Sequence, residues 1–323
     1  MAATRAAHPA RTRVGRGAGM IRFPLTAAEA KGEGELRAGG TDLQDLRHRG
    51  IRSGPITDLR DVQGLDAITD DLRIGSLVKI ADLGRDLRLP PLIRKAANGL
   101  ATPQIRAVAT LGGNLLQRTR CWYFRSREFD CFKKGGTSCP AREGIANRHA
   151  LFDRGPCISV HASTLGMAFL AYDAVAHFEG GPDRSIAEVY GDGSDPTRDH
   201  AVQAGEVLVG VSIRDAIPGE KGGYLRAIAR AEAEWPIVEA GVRLWFEGER
   251  IAGARVVAGA VAGVPLRLPA VEQRLLGELA NEATFARAAA VSIEGANPVP
   301  DSAFKVDFLP AVILSALERA MEA

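Results

Sequence analysis

Ala38-Gly39-Gly40-Thr41-Asp42 and Thr110-Leu111-Gly112-Gly113-Asn114 decide the reading of this chain, because they carry one chemistry twice. In each, a Gly-Gly pair stands beside a hydroxyl, with a carboxylate after the first pair and an amide after the second. Two successive glycines let the backbone come close to a ligand and aim N–H groups at it, which is how phosphates are cradled. Taken singly, the first stretch reads more readily as an ordinary strand-to-helix turn with Asp42 near a helix N-terminus. Neither is a Walker A or a GxGxxG motif, so P-loop and Rossmann readings have no support. Two such turns about seventy residues apart suggest a diphosphate held between two subdomains.

Outward from these turns, Glu35 to Ala38 reads as a short strand running into the first glycine pair, and Leu43 to Arg47 has helical spacing. Ile56–Leu59 and Leu72–Gly75 are further short strands, and helices begin at Ile80 and at Pro91, the second ended by Gly99. Leu165–Tyr172 is expected to be helical, leading into a strand at Ala174–Phe178, and Glu206–Ile213 reads as a strong strand. Composition turns to linker type at Pro218-Gly219-Glu220-Lys221-Gly222-Gly223, which places a boundary there. Beyond it, strands at Val238–Phe246 and Ile251–Val261 precede helices at Ala270–Leu279, Thr284–Ile293 and about Leu309–Met321, an antiparallel α+β module. Residues 1–19 hold Arg5, Arg11, Arg13 and Arg16 without an acid and read as a disordered tail, with Met20 as an alternative start.

The 323 residues are 25% charged and 46% hydrophobic with a net charge of +2, which suits a globular protein of two or three domains. No apolar run approaches the ~18 residues of a membrane span, and near-neutrality gives no electrostatic case for nucleic acid. Cysteine is the sharpest number. Cys121, Cys131, Cys139 and Cys157 fall in one 37-residue window, and the rest of the chain has none. Their spacing lacks both the CxxC knuckles of zinc ribbons and the bacterial ferredoxin run. Four thiols without a closely spaced histidine still match an all-cysteine metal site, Fe–S or zinc. Arg125, Arg127, Lys133, Lys134 and Arg142 surround them, and cations lower thiol pKa values. His149 and His161 read as surface or capping residues rather than ligands, and Trp122-Tyr123-Phe124 as a shield or a plain core contact. Asp42, Arg230 and Glu234 form no hydrolytic constellation.

Ala38 to Leu43, together with Thr102-Pro103-Gln104-Ile105-Arg106-x-Val108-Ala109-Thr110-Leu111-Gly112-Gly113-Asn114, resembles the two signature stretches of the FAD-binding medium subunit of molybdenum hydroxylases, the group of xanthine dehydrogenases, CO dehydrogenases and bacterial aldehyde oxidoreductases. Ile74 to Leu83 resembles a third recurrent stretch, and the likeness runs from about Ile21 to the C-terminus. The cysteines resemble those of a [4Fe-4S]-bearing branch, with flanking sequence of the aldehyde oxidoreductase type. The resemblance implies an α+β fold: a two-subdomain FAD-binding domain of the vanillyl-alcohol-oxidase type (20–78 and 79–218, with a cluster insertion at about 119–158), then a C-terminal α+β domain at 219–323 of the CO dehydrogenase flavoprotein kind.

It also implies a site. Leu36, Arg37, Ala38, Gly39, Gly40, Thr41, Asp42 and Leu43 would hold the FAD diphosphate with Thr110, Gly113 and Asn114, and Ala101, Ile105, Ala109 and Leu116 would line the dinucleotide. Ser163 and Thr164 stand where the family often has Ser-Asp, Arg226 where it often has Lys near the flavin ring, and Leu208 beside that ring. Ala107 replaces a usual Asn and Glu234 a usual Asp. Cys121, Cys131, Cys139 and Cys157 would ligate the cluster. The implied partners are a large molybdenum-cofactor subunit, a small subunit with two [2Fe-2S] clusters and an external electron acceptor, in the cytoplasm or the periplasm. A 4-hydroxybenzoyl-CoA reductase-type subunit and a zinc-stapled binding module are the competing readings.

Overall fold

The computed structural model describes residues 11–15 and 18–322, apart from residues 33, 215 and 232. Three four-stranded sheets organise the chain. The first has strands Arg11–Gly15, Ala18–Phe23, Ile56–Asp58 and Glu35–Arg37 in that order. Its last three strands are parallel, and Ile56–Asp58 in the centre is buried throughout. Residues 11–15 and 18–19, expected in the tail, are therefore backbone-paired: the ladder Arg11↔Phe23 to Gly15↔Ala18 supplies through main-chain hydrogen bonds what the side chains do not announce. Residues 1–10 lie outside the described residues.

The second sheet is antiparallel: Arg73–Gly75, Leu208–Ser212, Val175–Phe178 and Arg184–Ser185. Helices Ile80–Arg85, Pro91–Gly99, Pro103–Val108, Leu111–Leu115 and Thr164–Leu170 pack around it. The second glycine stretch is thus helical. Thr110 caps it, its hydroxyl accepting from the Gly113 N–H at 3.2 Å.

The third sheet is an antiparallel meander of Lys221–Ala227, Val238–Glu247, Arg250–Gly259 and Leu266–Arg267, covered by helices Pro269–Leu275, Glu282–Ala290 and Lys305–Met321. The last helix starts before Leu309, and the first stops at Leu275 rather than Leu279. Lys221-Gly222-Gly223, expected in a linker, begins a strand. A side chain at Gly223 would overlap the Ala316 carbonyl oxygen, and one at Gly222 would lie 2.6 Å from the Leu92 backbone nitrogen. These glycines let a strand pass between two helices, so their composition records close packing rather than flexibility.

Glu220, from the same stretch, is buried against Arg243. The Arg243 guanidinium donates to Glu220 Oε2 from Nε at 2.9 Å and Nη2 at 2.7 Å, and Tyr172 donates to Oε1 at 2.8 Å. One apolar core runs from Ile74 and Val211 through Phe169 to Val242, Leu244 and Leu317, joining the second sheet to the third.

Candidate functional site: a glycine-lined cleft beside four thiols

A cleft of about 530 Å³ opens where the first and second sheets meet. Leu36 to Leu43 form one wall, Ser76, Thr110, Gly113 and Leu116 the facing wall, and Leu208 lies on the floor. The two glycine stretches meet here because Gly39 has no side chain: one would overlap the Val108 carbonyl oxygen. Gly40 sits at φ +74°, a backbone conformation that favours glycine.

Main-chain pairing separates the two stretches. In the first, it starts at Gln44, whose N–H donates to the Gly40 carbonyl at 3.0 Å. Among the described residues none accepts from the N–H groups of Gly39 to Leu43. In the second, the Leu111 N–H donates to Val78 O, Gly112 to Ser76 O and Gly113 to the Thr110 hydroxyl. Only the first is therefore a cradle of open donors. Gly113 instead keeps the facing wall low, since among the described residues a side chain there would press, at 3.1 Å, on its own cap hydroxyl. The Ser76 hydroxyl, 3% exposed and lining the cleft, has no partner among the described residues. A buried donor of this kind awaits a ligand or water.

Of the expected site residues, Leu36, Arg37, Ala38, Gly39, Gly40, Thr41, Asp42, Leu43, Thr110, Gly113, Leu116 and Leu208 line the cleft. Others stand behind it. Asn114 Oδ1 accepts from the Ser163 hydroxyl at 2.8 Å, while Ser163 caps helix Thr164–Leu170 by accepting from Gly166 N at 2.8 Å, so both brace the wall. Thr164, at the position that often carries Asp, donates to Glu239 Oε2 at 2.9 Å, and Tyr224 donates to the same oxygen at 2.8 Å. Glu239 is buried beside Arg226, its cross-strand neighbour, and burial holds its carboxyl above the usual range. A carboxylate is thus present next to Thr164, supplied from the third sheet. Ala101, at φ +52°, accepts from Arg106 Nη1 at 2.7 Å. Ile105 is 42% exposed, and Ala109 is buried under the Gly39 crossing. Nothing in the sequence signals the far wall, residues 197–200 and 202–206. It has no motif, and its buried His200 Nδ1 is unpartnered among the described residues.

Asp42 faces away from the glycine loop. Its carboxylate accepts from the Arg118 backbone N–H at 2.8 Å and from Arg125 Nη2 at 2.6 Å, and Arg120 Nη1 stands 3.2 Å away. Arg125 also reaches Asp45 at 2.7 Å. The carboxylate expected near a ligand instead fastens the cysteine stretch to the cleft.

The four cysteines converge. Cys139 and Cys157 act on each other's thiols, Cys157 lies 3.4 Å from the Ser159 hydroxyl, and Cys121 feels the charge of both Cys131 and Cys157. Every sulfur also receives main-chain N–H groups. Cys121 receives those of Tyr123 and Phe124, Cys131 those of Lys133 and Lys134, Cys139 those of Ala141 and Ile158, and Cys157 that of Ser159. Burial pushes the Cys121 thiol up to about 11. The neighbouring Cys139 thiol, then Lys133, holds Cys157 below the usual thiol range. His149 Nε2 lies 3.3 Å from Cys121 Sγ. Among the described residues no group of three or more His, Cys, Asp or Glu is placed to hold a metal ion as the side chains stand.

The FAD binding domain in molybdopterin dehydrogenase matches residues 24–213, and the CO dehydrogenase flavoprotein C-terminal domain matches residues 223–323. This chain belongs to the FAD-binding subunits of the molybdenum hydroxylases. The flavoprotein subunit is 32% identical over 301 residues, 88% of this chain and 90% of the relative, to the aldehyde oxidoreductase FAD-binding subunit PaoB of Escherichia coli (strain K12). In fold it is similar to a chain of quinoline 2-oxidoreductase from Pseudomonas putida 86, with a TM-score of 0.71 at 21% identity, covering 94% of this chain and 97% of that one. A chain of carbon monoxide dehydrogenase from Hydrogenophaga pseudoflava matches with a TM-score of 0.71 at 20% identity, covering 94% and 96%. The fold is α+β, an FAD-binding domain followed by the C-terminal flavoprotein domain, and the subunit belongs to an oxidoreductase with FAD as its cofactor. Among the described residues no helix is long and apolar enough to cross a membrane.

Proposed function

We propose that this chain is the FAD- and [4Fe-4S]-binding electron-transfer subunit of an aldehyde-oxidising molybdenum hydroxylase. The observation that carries the cluster is the convergence of all four thiols, each lowered by neighbouring main-chain N–H groups, in a stretch tied to the flavin cleft through Asp42. Main-chain N–H groups stabilise thiolates, and with nearby cations they offset the negative charge of an all-cysteine site. The aldehyde substrate class rests on the likeness to PaoB.

In this reading the open N–H groups of Gly39 to Leu43 bind the FAD diphosphate, with Ser76 and Gly113 opposite and Leu116 and Leu208 against apolar parts of the cofactor. Asn114, Ser163 and Thr164 hold the wall in shape, and Arg226, across the strands from Glu239, would bring positive charge near the flavin ring. Bound FAD supplies exchange between one- and two-electron steps, and the cluster supplies single-electron relay. Cys121, Cys131, Cys139 and Cys157 would be the ligands, in an insertion spanning about 119–158 of the second FAD-binding subdomain. The assembly would include the large molybdenum-cofactor subunit, the small subunit with two [2Fe-2S] clusters and an external acceptor, in the cytoplasm or the periplasm. Metal, sulfide and flavin analysis of anaerobically purified complex tests this. Iron and sulfide in equal amounts, four per chain, with one FAD are expected; stoichiometric zinc without iron overturns the cluster.

A further inference from the structure

We propose that Asp199 is a positioning residue that sets the reduction potential of the cysteine-held cluster from the wall of the flavin cleft. The inference rests on the cluster reading above. Asp199 lies in residues 198–200, a stretch that borders both the cleft and a second, smaller cavity of about 140 Å³. Cys157, Ser159 and Lys133 line that second cavity. This stretch of backbone is therefore a wall between the flavin site and the thiols.

Asp199 is 9% exposed and holds one cation on each side. Arg118, which lines the cleft, donates to Oδ2 through Nε, and Lys133 Nζ lies 3.0 Å from Oδ1. Lys133 also donates to the Arg198 carbonyl, is 6% exposed, and is committed to the cysteines twice. Its backbone N–H points to Cys131 Sγ, and its ammonium is the foremost cation lowering Cys157. Arg118 continues into the Asp42 clamp through its backbone N–H. Two cations thus share one carboxylate, Arg118 on the cleft side and Lys133 on the side of the cavity that Cys157 lines. The charge and hydrogen bonds around ligand sulfurs govern a cluster's potential, and in a site shielded from solvent a unit charge acts with little screening. Asp199 fixes both where Lys133 sits and how much of its charge the sulfurs feel.

The sign follows. Asp199→Asn leaves Lys133 and Arg118 less compensated, which favours the reduced, more negative cluster and raises its potential. Lys133→Gln removes the cation while keeping the backbone N–H on Cys131, and lowers it. A tenfold change in the reduction equilibrium in each direction, ~59 mV for a one-electron couple, is expected. The test is an EPR-monitored redox titration of the intact complex carrying Asp199→Asn, Asp199→Glu or Lys133→Gln, with iron and FAD content measured in parallel. Opposite shifts in the Asn and Gln variants, a wild-type potential in the Glu variant and full FAD in all three are expected. Shifts of one sign, unmoved potentials, or FAD loss without a potential change overturn the role of Asp199 and leave the cluster standing. Wild-type complex without iron overturns both. If Asp199→Asn does not fold, Lys133→Gln still decides, since it must shift the potential downward.

Discussion

Gly39-Gly40 and Gly222-Gly223 are the same dipeptide in two unlike settings. At both pairs a glycine lets two backbones cross, Gly39 against Val108 and Gly223 against Ala316. What differs is the fate of the N–H groups. Residues 221–227 are a strand paired with Val238–Glu247, so their polar groups join the sheet, whereas Gly39 to Leu43 leave theirs toward an open cleft. Gly112-Gly113 is intermediate: it lines the cleft, but its N–H groups are spent within its own helix and on Ser76. A glycine pair becomes a ligand cradle when packing forces the crossing and no strand or helix claims the donors.

The largest effect lies on the packing side. Gly223→Ala forces a methyl group into the Ala316 carbonyl, where neither backbone can yield without moving helix Lys305–Met321. The expected loss is at or beyond the top of the ~1–3 kcal/mol range of overpacked cores. Thermal unfolding of the purified chain checks it. A variant as stable as wild type would mean that Gly222-Gly223 is a linker after all, and that the two pairs are not alike in packing.

This contrast also marks what was legible. Both cleft-forming glycine stretches were, because a Gly-Gly pair beside a hydroxyl is uncommon enough to stand out. The strand at Lys221–Ala227 was not, since composition reads the same for a flexible glycine and a crowded one. Asp42 was legible as a residue of the cleft wall but not as a clamp, because its arginine partners stand 76 to 83 residues further along and only the fold brings them in. Residues 197–206 carry no motif, and Asp199 matters only because Arg118 and Lys133 arrive from elsewhere. Main-chain pairing of residues 11–15 is invisible where the side chains are arginine, threonine and glycine beside one valine.

Gly113→Val comes next and separates ligand from packing. Space beyond Gly113 is open except for the Thr110 hydroxyl at 3.1 Å, so the chain should fold with a small loss of stability. The added side chain would project into the cleft opposite the open donors. Flavin content after gel filtration should fall to near zero while the unfolding temperature stays within a few degrees of apo wild type. Full FAD occupancy would remove the facing wall from the diphosphate path and leave Gly39 to Leu43 as the whole cradle.

The smallest effect tests whether the packing side is dry. Lys305 starts the helix that covers Gly223. It is fully buried, donates to the Ala260 carbonyl at 2.8 Å, and burial, then Arg148, brings its amine down to about 7 from an ordinary 10.5. Between those two values the unfolded chain holds a proton that the folded chain has released. Stability from this group therefore rises with pH across that window, and below pH 7, where both states are protonated, its contribution is flat. Lys305→Met deletes the titration. The rise in unfolding temperature between pH 7 and pH 9 should be a few degrees smaller in the variant than in wild type, with other groups cancelling in the difference. Equal slopes would mean that Lys305 keeps its proton when folded, with water reaching the base of helix Lys305–Met321. The contrast between a sealed glycine crossing at Gly223 and an open one at Gly39 would then hold for the main chain alone.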